Sequence, residues 1–304
     1  MIGLLLAAAA AAVQPQPVLT IDPKHRLVEG VASDGKTIWV SSILDRKILA
    51  CSTTCRTLAT LPAPLHPFAI AWDGDQKRLW VAAHCPPGVA AIKPCERGAL
   101  IALDARGRVQ TRIATAAGAF HPGDVSASPA GVFVSDSQNG AIYFVARKAS
   151  RLIPVVKPGV GKSGQGTALS EDGKQLLVAD YSQGVGVIDV ISGTRKILPR
   201  SNGKPLRGVD GLVRCGGTYY GVYNGENPGT VVEISPGESE LTLNQPLGEN
   251  GTLNDPTQIA YDGSRLLIVE NSGWAELDKP AAERTASARI VAIPVDPDCK
   301  PSAQ

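Results

Sequence analysis

Three oxygen-bearing side chains open similar phrases far apart in the chain: Glu29 in EGVASDGKTIWVSS, Gln165 in QGTALSEDGKQLLVAD and Asp210 in DGLVRCGGTYYGVYN. Two carboxylates and an amide carbonyl are hard donors, and such a set suits one divalent cation per chain, Ca, Mg, Mn or Zn, with water in the remaining positions. Carboxylates drawn together out of water are costly unless paired, hydrogen-bonded or metal-bound, so their convergence implies a partner. The structural alternative is a solvated channel mouth in which the same carboxylates bind water and backbone N–H groups. His66 and His121 occupy matching L-H-P-F and F-H-P-G-D phrases and are candidates for acid/base, ligand or substrate-binding roles. The competing reading of both is a His-Pro pair that shapes a loop, because proline biases the preceding residue to extended geometry. Asp124, one residue past an equivalent phrase opening, reads as a substrate contact or as a structural hydrogen-bond acceptor. Phe68 and Thr257 open two further phrases and join the substrate-binding candidates. No G-x-S-x-G, H-E-x-x-H or dinucleotide-binding pattern occurs, and the glycine-rich stretch at 159–164 lacks the spacing of a phosphate loop.

Residues so far apart converge only if repeated elements carry them to one place. Six copies of one phrase recur, starting at Glu29, Phe68, Gly123, Gln165, Asp210 and Thr257, roughly 40 to 55 residues apart. Each copy reads as an apolar strand, a turn with Asp or Gly, and a second apolar strand. A third apolar run follows most copies, such as RKILAC or GALIALD. A small antiparallel sheet cannot bury both faces alone, so sheets at this period stack radially. The expected fold is all-β, a single six-bladed β-propeller spanning residues 18–304, with 18–28 supplying the outer strand of the last blade. Helix is nearly excluded, because Gly and Pro interrupt every window that would need a 3.6-residue period. If each copy begins the innermost strand of a blade, its first side chain points at the channel mouth, and the six openings form a ring. Second-strand ends offer Asp136, Asp180, Tyr181, Asn224, Glu226 and Asn271 to the same face, mostly as turn formers. Two insertions, 84–98 and 272–287, leave from second-strand ends and are expected to wall that mouth.

The 304 residues carry 30 Lys and Arg against 28 Asp and Glu, a net charge of +2, with no run of five like charges. That balance argues against a nucleic-acid partner, which usually needs a clustered basic face. The apolar stretch MIGLLLAAAAAA is too short for the roughly 20 residues of a membrane span and reads as a signal peptide over residues 1–12, hence a periplasmic or secreted protein. No other segment is apolar enough to span a membrane. Six cysteines form an even set suited to an oxidising compartment. Spacing favours Cys51 with Cys55, Cys85 with Cys95 and Cys215 with Cys299 over a zinc site, for which only the first pair has suitable spacing.

The QGTALSEDGKQLLVADYSQG stretch, the E-G at Glu29, the V-D-G at Val209 to Gly211 and the D-P-T at Asp255 to Thr257 resemble the senescence marker protein/gluconolactonase family, also called luciferin-regenerating-enzyme-like. The resemblance spans nearly the whole chain after the leader. It implies a six-bladed propeller that hydrolyses lactones or esters with a divalent metal at the channel mouth. Glu29 and Asp210 fall on the family's metal-binding Glu and Asp, and both become candidate catalytic residues. Gln165 replaces the family's metal-binding Asn, one methylene longer, and Gly123 replaces its substrate-contacting Asn, with Asp124 kept beside it. The implied chemistry is polarisation of an acyl carbonyl by the cation, with Asp210 or a metal-bound water as base and nucleophile. The alternative is a non-catalytic binding propeller that uses the same mouth for a small ligand or a partner protein, since the fold alone does not settle function.

Overall fold

The computed structural model describes residues 13–85, 89, 92, 93, 95, 97–115, 118–248, 251–295 and 299, so the leader reading of residues 1–12 lies outside it. Its strands form six four-stranded antiparallel sheets, the blades of a six-bladed β-propeller. Their innermost strands are Val28–Ser33, His66–Asp73, Pro122–Ser128, Gly164–Leu169, Val209–Cys215 and Ile259–Tyr261. Two single-turn 3-10 helices, Trp274–Glu276 and Ala281–Glu283, are the helical elements of the described residues. None is long or apolar enough to cross a membrane.

The second strand of each blade is sandwiched between neighbouring sheets, which is why it reads as a continuous apolar run instead of an alternation. Arg78–His84 is buried at every position after its first, and Arg265–Glu270 likewise. Apolar side chains collect in six clusters, one between each pair of adjacent blades. Val40 and Leu49 of the first blade, for example, pack on Leu267, Val269 and Ile290 of the last. The ring closes through the N-terminal strand Gln16–Thr20, which pairs with Arg289–Pro294 as the outer strand of the sixth blade. The strand lies a few residues earlier than the 18–28 expected from sequence.

Three disulfides join Cys51 to Cys55, Cys85 to Cys95 and Cys215 to Cys299, the pairing that spacing favours. The first closes a hairpin end and the last ties the C-terminal tail to the fifth blade.

One irregularity positions the site. In five blades the register of the innermost strand slips at the phrase opening: between Val28 and Val31, Pro67 and Ile70, Pro122 and Val125, Gly164 and Thr167, and Val209 and Leu212. The two residues inside each slip form a bulge, a device that re-aims side chains. Glu29, Phe68, Gly123, Gln165 and Asp210 each take the first bulge position. Small residues follow Glu29, Phe68, Gln165 and Asp210, because adjacent innermost strands approach closely there. A Cβ on Gly30 would stand 2.5 Å from the Phe68 carbonyl oxygen.

Candidate functional site

A cavity of about 500 Å³ opens at one end of the channel, and all six phrase openings, Glu29, Phe68, Gly123, Gln165, Asp210 and Thr257, line it. The bulges aim Glu29, Phe68, Gln165 and Asp210 into one cup, and Thr257 joins them from just ahead of the sixth innermost strand. Tyr181, Asn224 and Glu226 from second-strand ends also line it, whereas Asp136, Asp180 and Asn271 do not. Asp136 and Asp180 instead accept backbone N–H groups of their own connections, as for Gln138 and Gln183. The 272–287 insertion contributes Trp274 and Ala275 to the wall. The other insertion behaves differently: its described residues Val89 and Ile92 pack into the apolar cluster between the first two blades, and His84 at its base reaches the cup.

Glu29 is buried, 8% exposed, and its Oε2 accepts a hydrogen bond from Trp274 Nε1 at 2.5 Å. Burial, reinforced by the charge of Asp210, holds its carboxyl well above the usual range against the opposing pull of that indole. Burial pushes Asp210 up to about 6, opposed by Asn224 Nδ2, which donates to Asp210 Oδ2 at 3.1 Å. The same Asn224 nitrogen donates to the Pro256 carbonyl at 2.9 Å, and its Oδ1 is buried with no partner among the described residues. Thr257 Oγ1 donates to the Glu29 carbonyl at 2.9 Å, linking the sixth blade to the first beneath the cup.

Gln165 and Gly123 fit together. A Cβ on Gly123 would stand 3.1 Å from Gln165 Oε1, so the longer amide reaches into space that a side chain at 123 would fill. The remaining candidates sit beside the cup or below it. His66 is buried with Nδ1 2.7 Å from the Ile43 carbonyl oxygen, and neither it nor His121 lines the cavity. His84, which sequence reasoning passed over, does line it: its ring stacks on Phe68 with centroids 3.9 Å apart. Burial drives its pKa down to about 3, so it is neutral. His121 meets the edge of His84 at 5.8 Å.

Asp124 points away from the cup. Its carboxylate accepts N–H groups of Val125 at 2.8 Å and Thr167 at 3.2 Å, and the side-chain amide of Gln258 at 2.9 Å. The Asp124–Gln258 bond spans the channel from the third blade to the opposite sixth. Below it lies a second cavity of about 480 Å³, lined by Asp124 and Gln258 and sharing no lining residue with the first.

Could the cup hold a divalent cation? No group of three His, Cys, Asp or Glu side chains placed to hold one ion occurs among the described residues. Four acidic residues line the cup, Glu29, Asp210, Glu226 and Asp255, and the first two, at phrase openings, are accompanied by the amides of Gln165 and Asn224. No Lys or Arg occurs among the described lining residues, so the carboxylates have no cationic side chain to balance them. An unpartnered buried amide oxygen beside two unbalanced carboxylates fits a hard cation.

No protein-family model matches the chain, and no curated protein matches it. Solved structures match over nearly its whole length. A calcium-binding protein, regucalcin, from Agrobacterium tumefaciens superposes with a TM-score of 0.62 at 15% identity, covering 97% of this chain and 100% of that one. A gluconolactonase from Xanthomonas campestris gives 0.57 at 16%, covering 96% and 99%. They share its fold. A PQQ-bound aldose sugar dehydrogenase from Streptomyces coelicolor also matches, with 0.58 at 12% over 94% and 100%. Neighbours with such different chemistry establish the propeller and leave the activity to be argued from the site.

Proposed function

We propose that the protein is an exported, divalent-cation-dependent hydrolase of lactones or carboxylic esters working in the cup. The observation that carries this is the pair Glu29 and Asp210: two carboxylates converge in a cavity whose described lining has no Lys or Arg, beside an unpartnered Asn224 Oδ1. The regucalcin-like and gluconolactonase-like neighbours support the same reading, and three disulfides accord with an oxidising compartment.

Glu29, Asp210 and the amide oxygen of Gln165 would hold the cation, with Asn224 Oδ1 as a further donor. When bound, the cation supplies a Lewis acid for the acyl carbonyl. Asp210 takes a proton from the attacking water. Asn224 holds Asp210 through Oδ2. The rings of Phe68, Trp274 and Tyr181 give the substrate an apolar wall, and neutral His84, also in the lining, stacks on Phe68.

The test is metal content of the purified protein with Glu29→Gln and Asp210→Asn variants, followed by a panel of lactones and aryl esters with and without chelator. Expected are about one ion per chain in the wild type, its loss in both variants, and a fall in hydrolysis of at least about 100-fold in each. A folded, metal-free wild type that hydrolyses nothing leaves the binding-propeller reading in its place.

A further inference from the structure

We propose that Trp274 is a positioning residue that fixes Glu29 as a single-oxygen cation ligand; the inference rests on the cation reading of the cup. Trp274 lies outside the repeated blade pattern, on the 272–287 insertion, yet its indole N–H is the donor that holds Glu29 Oε2. Among the hydrogen bonds of the described residues, the Glu29 carboxylate is engaged at Oε2, by the indole, and Glu29 lines the cavity. One oxygen is thus tied to the insertion and the other is left for the cup.

The indole can orient Glu29 because the insertion itself is braced. Asp255 Oδ2 accepts Ser272 Oγ at 2.7 Å, Gly273 N at 2.8 Å and Ala275 N at 3.3 Å, anchoring the start of the insertion to the sixth blade. Glu276 Oε2 accepts the N–H groups of Thr285 and Ala286, each at 2.7 Å, and Arg284 Nη2 donates to the Leu277 carbonyl at 2.7 Å. Trp274 and Leu277 also pack on the apolar cluster between the first two blades. The ring is therefore held from both sides, and its N–H arrives at Glu29 already oriented. A charge-assisted bond of this kind stabilises the ionised carboxylate and restricts its rotation, the two conditions a ligating oxygen needs.

Trp274→Phe keeps the ring and its packing and removes the donor. Calcium and manganese titrations followed by calorimetry should show affinity weakened about 10- to 100-fold, with the circular dichroism spectrum unchanged. Trp274→His, which restores a ring N–H, should recover part of the loss. Glu276→Gln separates positioning from packing: it loosens the brace but keeps the indole donor, so it should lower the melting temperature and weaken cation affinity clearly less than Trp274→Phe does. Wild-type affinity in Trp274→Phe overturns the inference. Equal weakening in Trp274→Phe and Glu276→Gln overturns it too, since packing of the insertion then explains both. A wild type that takes up no cation overturns this inference together with the hydrolase reading, whereas the first two outcomes leave that reading standing.

Discussion

Glu29 and Asp210 both lose hydration in the cup and repel one another, and the cost appears as carboxyl groups that hold protons more tightly than free ones. Asp124 shows the same physics without a place in the cup. Burial is the largest cause, and it pushes Asp124 up to about 7 despite three hydrogen bonds to its carboxylate. The unfolded chain releases this proton near the ordinary value of 3.8. Between those limits folding takes up a proton, so the contribution of Asp124 to stability is fullest below about pH 4 and is lost as pH rises through about 7. Urea unfolding at pH 4, 6 and 8 should therefore show the wild type losing stability relative to Asp124→Asn across that window. Parallel curves for the two proteins would mean that Asp124 is ionised throughout.

At the scale of elements, the blades are alike but their fastenings differ. The Gln16–Thr20 strand closes the ring by backbone hydrogen bonds and by Leu19, which packs in the cluster between the first and last blades. The C-terminal tail is fastened by the Cys215–Cys299 bond, whose partners are 84 residues apart in the chain. A cross-link over a loop of that length restricts the unfolded chain strongly. Replacing both cysteines by alanine should lower unfolding free energy by about 2–5 kcal/mol, read by denaturant titration. The same replacement at Cys51 and Cys55, 4 residues apart, should cost less. Equal losses would contradict the loop-length argument. The bulges are the other decisive element: each turns the opening of an innermost strand toward the mouth, and a regular strand there would keep the alternation of its neighbours.

For the molecule as a whole, charge is distributed against its sum. The chain carries a net +2, yet the cup is lined by Glu29, Asp210, Glu226 and Asp255 with no Lys or Arg among its described residues. On the proposed reading, a divalent cation held by the first two leaves Glu226 and Asp255 as negative charge in the wall, the latter tied through Oδ2 to the 272–287 insertion. An anionic lactone should therefore be a poorer substrate than its neutral analogue, by about 10-fold in kcat/KM at low ionic strength, with the gap narrowing in 0.5 M salt, where the screening length falls to a few ångströms. A gap that salt does not move would point to shape instead of charge. The Asp124–Gln258 bond crosses the axis between two cavities that share no lining residue.

The period of the phrases, their apolar runs and their turn residues were enough to determine the six blades, because a sheet that cannot bury both faces by itself has few ways to stack. The same period placed Glu29, Phe68, Gly123, Gln165, Asp210 and Thr257 at equivalent depths, and they do line one cavity. Short cysteine spacings suggested the first two disulfides for a similar reason, since a bond across a hairpin or a loop is a local matter, and Cys215 with Cys299 was the pair that remained. What lies outside the repeat was decided by packing. His66 turns to the Ile43 carbonyl, Asp124 turns below the cup to Gln258, and the 84–98 loop folds its apolar residues into an inter-blade core. The partnership of Trp274 with Glu29, 245 residues apart, depends on the path of an insertion that obeys no period. Repetition makes depth in a propeller readable from spacing, whereas the direction of a side chain at a bulge, or of a loop beyond a strand, follows from neighbours that spacing does not reveal.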